Sequence, residues 1–349
     1  MRIGIPREIK DGERRVALTP HGVKALRGNQ VVFEPGAGAG AGFADSGYEK
    51  SGATPGDPWE CELVVKVKEL QPPEYARPRR GQTVLGFQHF GPHPALLDAA
   101  LASGGSFIAY ETVGEALGRL PILAPMSAIA GRLAVQAGAW LLQAQNGGSG
   151  VLLPGLDGVA PGRVAILGAG NVGSNALAVA CGLGAAVTLF ARSERRFPSL
   201  RKRFSTARFS TRIETQILVE ADLLIGAVLT PGQMSPKLVT RGMLRRMRPG
   251  SVLVDVGIDQ GGIAETSRPT SHSKPTYVEE GVVHYCVPNL PAACPRTASL
   301  ALERAVLPYV KKIVHGMKDP DLATGIQVHA GKVTHEKLAR DTARAYSPA

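Results

Sequence analysis

The feature that most restricts the fold of this chain is a glycine-rich turn between an apolar run and a helical segment. Val164–Leu167 predicts a short buried strand, and Gly168, Gly170 and Gly173 follow it with the spacing Gly-x-Gly-x-x-Gly. At this spacing the first glycine permits a tight turn, the second lets the backbone approach a pyrophosphate, and the third lets the helix pack closely on the strand. A second apolar run, Val187–Phe190, comes after the helical segment. This order of elements predicts a dinucleotide-binding βαβ unit.

Residues on both sides of the turn are expected to complete the cofactor site. Asn171 and Val172 open the helix, whose free N–H groups and positive dipole end favour an anion. A site for NAD usually has an acidic residue at the end of the second strand, where this chain has Ala191, Arg192 and Ser193. An arginine there would pair with a 2′-phosphate, so the sequence favours NADP(H) at least as much as NAD(H). The alternative is that Arg192 is a solvated loop residue and NAD binds without the acid.

Short apolar runs alternate with helical segments along most of the chain, which is typical of parallel, doubly wound sheets. The predicted strands are Arg2–Ile5, Gln30–Phe33, Leu63–Val67, Thr83–Phe87, Phe107–Tyr110, Val164–Leu167, Val187–Phe190, Leu223–Ala227, Val252–Val256 and Val283–Cys286. The predicted helices include Pro20–Leu26, Pro94–Ala102, Ser127 to about Gln145, and Ala298–Val314. Because the long helix from Ser127 separates two such series, we predict an α/β protein with two doubly wound, Rossmann-like domains and a cleft between them.

The composition agrees with two ordinary globular domains. The chain has 349 residues, more than one domain usually holds, and 44% of them are hydrophobic against 20% charged. No apolar stretch is long enough to span a membrane and the first residues do not resemble a secretory signal, so a soluble cytoplasmic protein is expected. The four cysteines lack metal-ligand spacing, and no metal site is predicted.

Positive charge is concentrated in one connection of the second series. The net charge is +11, and the segment from Arg192 to Arg212 holds eight basic residues and one acid, Glu194. Such a local cluster favours an anionic small ligand at least as readily as DNA, and no nucleic-acid role is predicted. The connection Ala191–Ala221 is also short for a helix, a strand and another helix, so we expect one of these elements to be reduced to a turn.

A few polar residues near strand ends could serve a reaction on a small anionic substrate. Lys66 and Lys68 interrupt an apolar strand, and regular alternation would put both on one face. Histidine, here His89, suits proton transfer near neutral pH, and cations can hold a carboxylate and a developing charge. Each candidate also has a structural alternative: His89 as a hydrogen-bonded residue at a strand end, Arg14 or Arg15 in a surface ion pair, and Asp259 as a cap.

Several segments, in order along the chain, resemble one family. They are Met1–Pro20, Lys66–Glu69, Tyr110–Val113, Ala124–Arg132, Gly168–Gly173, Asp255–Gly262 and Pro288–Thr297. In these motifs the chain is similar to the alanine dehydrogenases and to the related α subunit of nicotinamide nucleotide transhydrogenase. The segments Ala124–Ser127 and Gly331–Thr334 are closer to the alanine dehydrogenases.

The resemblance implies a reaction and a role for each candidate residue. The reaction is the reversible oxidative deamination of L-alanine, or a similar small amino acid, to pyruvate or another 2-oxo acid and ammonia, with hydride transfer to NAD(P). Arg15 and Lys68 would then hold the carboxylate and carbonyl of the substrate. His89 would be the acid/base, and Asp259 would position the attacking water.

The same resemblance implies further contacts and a domain organisation. Ser127 and Asn289 would meet the cofactor beside the glycine turn. Residues 1–126 and 297–349 would form the substrate and catalytic domain, because the C-terminal segment would return to complete it, and residues 127–296 the dinucleotide-binding Rossmann domain. The enzyme would be a homo-oligomer, a hexamer or a dimer.

Departures from the family pattern leave the substrate open. Similar enzymes have Asp where Ala191 stands, and other residues where Phe90, Pro288 and Leu290 stand near the expected pocket. Since one methyl group in a pocket changes discrimination by only about 1–3 kcal/mol, the substrate can shift easily. One alternative is an NADPH-dependent imine reductase that joins a 2-oxo acid to an amine. Another is a nucleotide-binding subunit or regulatory protein without turnover.

Overall fold

A computed structural model of the chain describes residues 1–228 and 234–348. The chain divides into two compact units, unit 1 (Met1–Met126 and Cys294–Ala349) and unit 2 (Ser127–Ala293). No helix among the described residues is long and apolar enough to cross a membrane. Within the same residues, no group of three or more His, Cys, Asp or Glu side chains is arranged to hold a metal ion.

Strands and helices alternate along the described parts of the chain. The strands are β1 (Arg2–Ile5), β2 (Gln30–Phe33), β3 (Ala53–Pro55), β4 (Leu63–Lys68), β5 (Thr83–Phe87), β6 (Ser106–Ala109), β7 (Arg163–Leu167), β8 (Ala186–Phe190), β9 (Arg208–Ser210), β10 (Leu223–Gly226), β11 (Val252–Asp255), β12 (Thr276–Glu279), β13 (Val282–Tyr285), β14 (Ile326–His329) and β15 (Lys332–Val333). The helices are α1 (Pro20–Lys24), α2 (Asp45–Lys50), α3 (Pro94–Ser103), α4 (Leu123–Leu141), α5 (Asn171–Gly182), α6 (Phe197–Arg203), α7 (Thr215–Val219), α8 (Arg241–Leu244), α9 (Pro295–Val314), α10 (Pro320–Gly325) and α11 (Glu336–Asp341).

Unit 1 contains a sheet with the strand order β15-β14-β6-β5-β4-β1-β2-β3. The strands β1 to β6 are parallel, and β14 and β15 extend the edge in antiparallel pairing. Central parallel strands are covered on both faces, and every residue of β4 is accordingly buried. The strand order reverses between β1 and β4, and in such sheets ligands bind at the carboxyl ends of the strands beside this point.

Unit 2 repeats this architecture with the order β12-β13-β11-β10-β7-β8-β9. Its strands are parallel except β12, which pairs antiparallel with β13. Ile166, Leu189, Ile225 and Val254 come from four adjacent strands and lie in one buried core cluster. The order reverses between β7 and β10, so the glycine turn after β7 lies at the reversal. The predicted α/β class with two doubly wound sheets is confirmed.

The prediction for the Ala191–Ala221 connection is wrong. We expected one element to be reduced to a turn, but α6, β9 and α7 are all present, with 7, 3 and 5 residues. A short helix suffices here because Phe197 and Leu200, three positions apart on α6, are both buried. The ring of Phe197 also packs against Phe209 of β9, with 5.4 Å between centroids. All three elements are shortened, and none is lost.

The long central helix begins and ends earlier than predicted. It was expected from Ser127 to about Gln145, whereas α4 spans Leu123–Leu141 and a separate single turn covers Ala144–Asn146. The start differs because Pro125 lies in the first turn, where no N–H is needed for the helical hydrogen bonds. The division of the chain at Met126 and Ser127 therefore falls inside a helix.

Candidate active site

Two of the predicted residues lie side by side at the carboxyl ends of neighbouring strands in unit 1. Lys68 ends β4 and is in register with Phe87 at the end of β5. His89 follows two residues later, and its Nε2 lies 3.0 Å from the Nζ of Lys68. A protonated Lys68 donates this hydrogen bond, which places the proton of a neutral imidazole on Nδ1. The φ of His89 is 48°, in the left-handed region, so tertiary contacts must hold its backbone.

The electrostatics of this pair favour a neutral histidine. Burial, followed by the Lys68 ammonium, lowers the pKa of His89 to about 3, although the Glu69 carboxylate acts in the opposite direction. Burial also lowers the pKa of Lys68, again against the effect of Glu69. The Phe87 ring lies beside both groups, 5.6 Å from Nζ and stacked at 6.1 Å from the imidazole. The pair therefore offers an unprotonated base next to a hydrogen-bond donor.

The low pKa of His89 should affect how the free energy of unfolding depends on pH. His89 has a pKa of about 3 in the folded state against 6.5 ordinarily, so below pH 6.5 the unfolded chain binds more protons. The free energy of unfolding should thus fall as the pH decreases from 6.5 towards 3, by up to about 1.4 kcal/mol per pH unit from this group. Between pH 6 and pH 5, the free energy of unfolding measured in urea should fall by about 1 kcal/mol less in His89→Asn than in wild type. The exposed His272, changed to Asn, is the control, and equal pH dependence in wild type and His89→Asn would contradict the assignment.

Arg15 lies in the interior of unit 1. It is therefore not part of a surface ion pair, which was its structural alternative. It is 2% exposed, and its Nε donates to the Glu13 carboxylate at 2.7 Å. Its Nη1 lies 3.3 Å from the Sδ of Met126. The Arg15 guanidinium is also close enough to lower the pKa of Lys68. Arg15 and Lys68 therefore contribute positive charge to one region.

The expectation for Lys66 is wrong. Alternation was expected to put Lys66 beside Lys68 on one face, but the register of β4 against β5 shifts between Val65 and Lys68. Three steps along β4 there oppose two along β5, as in a β-bulge, which interrupts the alternation. Lys66 is 1% exposed, with its Nζ 2.7 Å from Glu74 and 3.6 Å from Glu8. Lys66 pairs with these two carboxylates, whereas Lys68 contacts His89, so only Lys68 of the two is assigned to the substrate.

Phe90 does not reshape a pocket as expected from the sequence. Its side chain is 1% exposed and belongs to the core cluster that includes Trp59, Leu96 and Val328. The ring packs edge-on against Phe107, with 5.8 Å between centroids. The positive φ of the preceding His89 changes the chain direction at this point, so the two adjacent side chains enter different environments. In unit 2, Leu290 is also buried and Pro288 half-buried.

The glycine turn in unit 2 has the geometry that a dinucleotide needs. Gly168 has a φ of 114°, and a methyl group on it would lie 2.3 Å from the carbonyl oxygen of Ala227. A methyl on Gly173 would lie 1.8 Å from the carbonyl oxygen of Gly168, because α5 approaches the turn closely. Gly170 differs, since its added methyl would meet no described protein atom within 4 Å. The protein itself therefore requires glycine at 168 and 173, whereas Gly170 leaves open space at the start of α5 that a phosphate could fill.

Ser127 is placed near this turn by helix packing. A methyl on Gly131 would lie 2.1 Å from the carbonyl oxygen of Val172, so α4 crosses the first turn of α5 at that glycine. Ser127 is four residues earlier and lies on the same face of α4. It is half-buried, as is Asn289, which follows β13 with a φ of 55°.

Arg196 is a candidate that the sequence analysis missed. Its Nη1 donates a 3.0 Å hydrogen bond to the carbonyl oxygen of Ala169, inside the glycine turn. Arg192 and Ser193, which the sequence singled out, are exposed at the end of β8. The eight-residue basic cluster was the available signal, but composition alone could not show which of its arginines returns to the turn.

The loop that carries Asp259 is held by polar contacts from both sides. Asp259 is exposed in a single 3-10 turn, Ile258–Gln260. The buried Asp255 carboxylate accepts hydrogen bonds from the N–H of Ile263 and the hydroxyl of Ser267, at 2.7 and 2.5 Å. Lys237 donates from Nζ to the carbonyl oxygens of this loop, Gly261, Gly262 and Ala264, at 2.5, 3.0 and 3.0 Å. The backbone around Asp259 is thus tied down on a loop at the carboxyl end of β11.

Comparison with known proteins identifies the family. The family models described as alanine dehydrogenase/PNT, N-terminal domain and C-terminal domain match residues 4–130 and 134–336. The alanine dehydrogenase of Halomonas elongata is 48% identical over 97% of this chain and 96% of that protein. The chain belongs to the alanine dehydrogenase/PNT family.

Solved structures in this family resemble the chain to different degrees. A structure of L-alanine dehydrogenase matches with a TM-score of 0.95 and 45% identity, covering 98% of this chain and 99% of that one. The transhydrogenase from Sinorhizobium meliloti matches with a TM-score of 0.81 and 26% identity, covering 96% of this chain and 99% of that one. Membership of the alanine dehydrogenase/PNT family implies a nicotinamide cofactor. The open space beside Gly170 fits the diphosphate of such a cofactor.

Proposed function

We propose that this protein catalyses the reversible oxidative deamination of L-alanine to pyruvate and ammonia with a nicotinamide cofactor. The observation that carries the proposal is the Lys68–His89 pair, in which Nζ lies 3.0 Å from the Nε2 of a buried imidazole. It supplies the base and the cation that a reaction on an amino acid needs. The similarity to alanine dehydrogenases over nearly the whole chain supports alanine as the substrate.

In unit 1, the basic residues would bind the substrate. We assign Arg15 and Lys68 to the carboxylate and to the oxygen that becomes the carbonyl. Arg15 is oriented by Glu13, which leaves its charge near Lys68. A bound carboxylate would offset positive charge beside His89 and thereby raise the pKa of the imidazole towards its ordinary value. Proton acceptance by His89 would then depend on a bound substrate.

His89 would move the protons of the reaction. Removal of hydride from the α-carbon of the neutral amine leaves a protonated imine, and the bound nicotinamide, when present, supplies the hydride acceptor. His89 would take a proton from the water that adds to the imine carbon and return it to the nitrogen. It would then take the proton of the new hydroxyl group as ammonia leaves and the carbonyl forms. We assign the orientation of that water to Asp259, on the loop that Asp255 and Lys237 hold.

In unit 2, the glycine turn would bind the diphosphate and the arginines beside it would influence which cofactor is preferred. We infer that NADP(H) is used at least as well as NAD(H). Ala191 provides no carboxylate at the end of β8 to repel a 2′-phosphate, and Arg192 follows it. Arg196 adds a second guanidinium already on the turn. Ser127 and Asn289 are assigned to the cofactor on the family resemblance, as is assembly into a homo-oligomer.

One absorbance assay tests the reaction and the cofactor preference together. Pyruvate and ammonium are supplied with NADH or NADPH in separate reactions, and oxidation is followed at the nicotinamide band. We expect turnover with both cofactors and kcat/KM at least as high for NADPH. Arg196→Ala should lower kcat/KM for NADPH about tenfold or more while changing that for NADH less, because a charge-assisted contact to phosphate contributes on the order of 1.5–3 kcal/mol.

The controls separate the two parts of this proposal. Lys202→Ala removes another positive charge from the same cluster, and it should leave the ratio of NADPH to NADH unchanged. A strong preference of the wild-type protein for NADH would contradict the cofactor assignment but leave the deamination intact. An absence of oxidation with either cofactor, in protein that demonstrably binds them, would contradict the reaction.

A further inference from the structure

We propose that two carboxylates, Glu8 and Glu111, are positioning residues that clasp the ends of β4 and β5 and thereby hold Lys68 against His89. The proposal rests on the proposed function for the role of that pair. Neither carboxylate is assigned to the substrate or cofactor above. Glu8 follows β1 and Glu111 follows β6, the strands on either side of β4 and β5 in the sheet.

The end of β4 needs such support because its pairing stops early. Regular pairing of β1 with β4 is limited to Ile3 with Leu63 and Gly4 with Val64. On the other side the register against β5 shifts between Val65 and Lys68. The backbone N–H groups of Val67 and Lys68 therefore lie beyond the regular ladder towards β1, and buried N–H groups require acceptors.

Glu8 supplies both acceptors. Its Oε1 accepts from the N–H of Val67 at 2.7 Å, and its Oε2 accepts from the N–H of Lys68 at 3.4 Å. The Glu8 side chain is 3% exposed. A carboxylate suits this place because two oxygens can accept from consecutive N–H groups and neither oxygen donates. This contact holds the backbone at Lys68 and thereby sets the direction of the Lys68 side chain.

Glu111 does the same for the end of β5. It follows β6, and its Oε1 and Oε2 accept from the N–H groups of His89 and Gln88, at 2.7 and 3.2 Å. This contact offsets the cost of the left-handed backbone at His89, where φ is 48°. The ends of β4 and β5, which carry Lys68 and His89, are thus each held by a carboxylate that accepts two backbone hydrogen bonds, Glu8 on one side and Glu111 on the other.

Lys66 favours the charged form of Glu8. Its buried Nζ lies 3.6 Å from Glu8 and 2.7 Å from Glu74. Burial raises the pKa of Glu8 to about 7 even though Lys66 lowers it. A protonated Glu8 would present an O–H to N–H groups that need an acceptor, so Glu8 holds the strand end in its ionised form, above pH 7. This gives the buried lysine a structural purpose that its place in an apolar strand did not reveal.

Glu8→Gln and Glu74→Gln form a matched pair of variants for the test. Each removes one carboxylate from contact with Lys66, and each leaves the other carboxylate in place. Glu8→Gln replaces one of the two acceptor oxygens at the bulge by an NH2 group. Glu74→Gln leaves that bulge untouched, because Glu74 otherwise accepts from the N–H of Gln71 at 2.8 Å.

The first readout is the tautomer of His89 at pH 8, followed by NMR of the imidazole nitrogens and assigned by the signal lost in His89→Asn. This pH lies above the pKa of about 7 of Glu8, so the Glu8 carboxylate is ionised. With Lys68 donating to Nε2, His89 should carry its proton on Nδ1 in wild type and in Glu74→Gln. In Glu8→Gln the contact with Lys68 should be lost, and the tautomer with the proton on Nε2 should appear. No change in Glu8→Gln, or an equal change in Glu74→Gln, would overturn the proposal.

The second readout is turnover in the pyruvate and ammonium assay. Glu8→Gln should lower kcat about tenfold to a hundredfold, the usual effect of misplacing a reacting group by about 1 Å, with the KM for the nicotinamide cofactor unchanged. Glu74→Gln should keep kcat within about threefold. A kcat for Glu8→Gln equal to wild type would count against the proposal. If wild-type protein shows no turnover, the proposed function fails, and the NMR measurement of the His89 tautomer still decides whether Glu8 positions the pair.

Discussion

Replacing His89 with asparagine should lower kcat by about 10²- to 10⁴-fold in both directions of the reaction, the range that one general acid–base group contributes. Asparagine cannot take a proton near neutral pH, so water addition to the imine and release of ammonia would both lose their catalyst. The fold should survive, because asparagine is among the residues that tolerate the left-handed φ of 48° at this position. The backbone N–H that donates to Glu111 also remains.

The measurement is kcat for alanine oxidation and for pyruvate amination, together with NADH binding followed by fluorescence. Binding should be unchanged, because the glycine turn belongs to unit 2 and His89 to unit 1. His329→Asn serves as the control, since His329 lies in the same unit and contacts Ser106 at 2.8 Å on the surface. A fall in kcat of less than about tenfold in His89→Asn would remove His89 from the acid–base role.

Two alanine substitutions in the glycine turn should have different effects, one on the stability of the protein and the other on cofactor binding. Gly173→Ala puts a methyl group 1.8 Å from a backbone oxygen that cannot move aside easily, and should cost about 2–3 kcal/mol of unfolding free energy. Gly170→Ala meets no described protein atom within 4 Å. Its φ of −70° and ψ of −165° are also open to alanine, so its melting temperature should equal that of wild type.

The affinity of Gly170→Ala for the cofactor should then show whether a diphosphate occupies the space beside Gly170. If a diphosphate lies there, Gly170→Ala should weaken NAD(P)H binding about tenfold to a hundredfold in a protein that is otherwise intact. Gly182→Ala is the control, because it likewise meets no described atom within 4 Å but lies at the far end of α5. Unchanged binding by Gly170→Ala would mean that the cofactor does not approach this glycine.

Local patterns in the sequence predicted most of the regular structure. The apolar run Val164–Leu167 and the spacing of Gly168, Gly170 and Gly173 predicted a strand, a turn and a helix, which the structure has as β7, the glycine turn and α5. These features depend on residues close together in the chain, namely a continuous apolar run that forms a buried strand and the steric freedom of glycine. The same reasoning identified Lys68 and His89 as candidates, because polar side chains at the ends of buried strands are costly without a purpose.

Tertiary structure decided how those candidates are used. Sequence alternation grouped Lys66 with Lys68, but the bulge in β4 and the carboxylates of Glu8 and Glu74 separate their roles. The acceptor for Val67 is 59 residues away in the chain, and the arginine on the glycine turn is 27 residues from its partner. Strand propensity and residue spacing carry no information about such partners, because a hydrogen bond or an ion pair depends on distances of a few ångströms that are set when separate strands pack into one sheet.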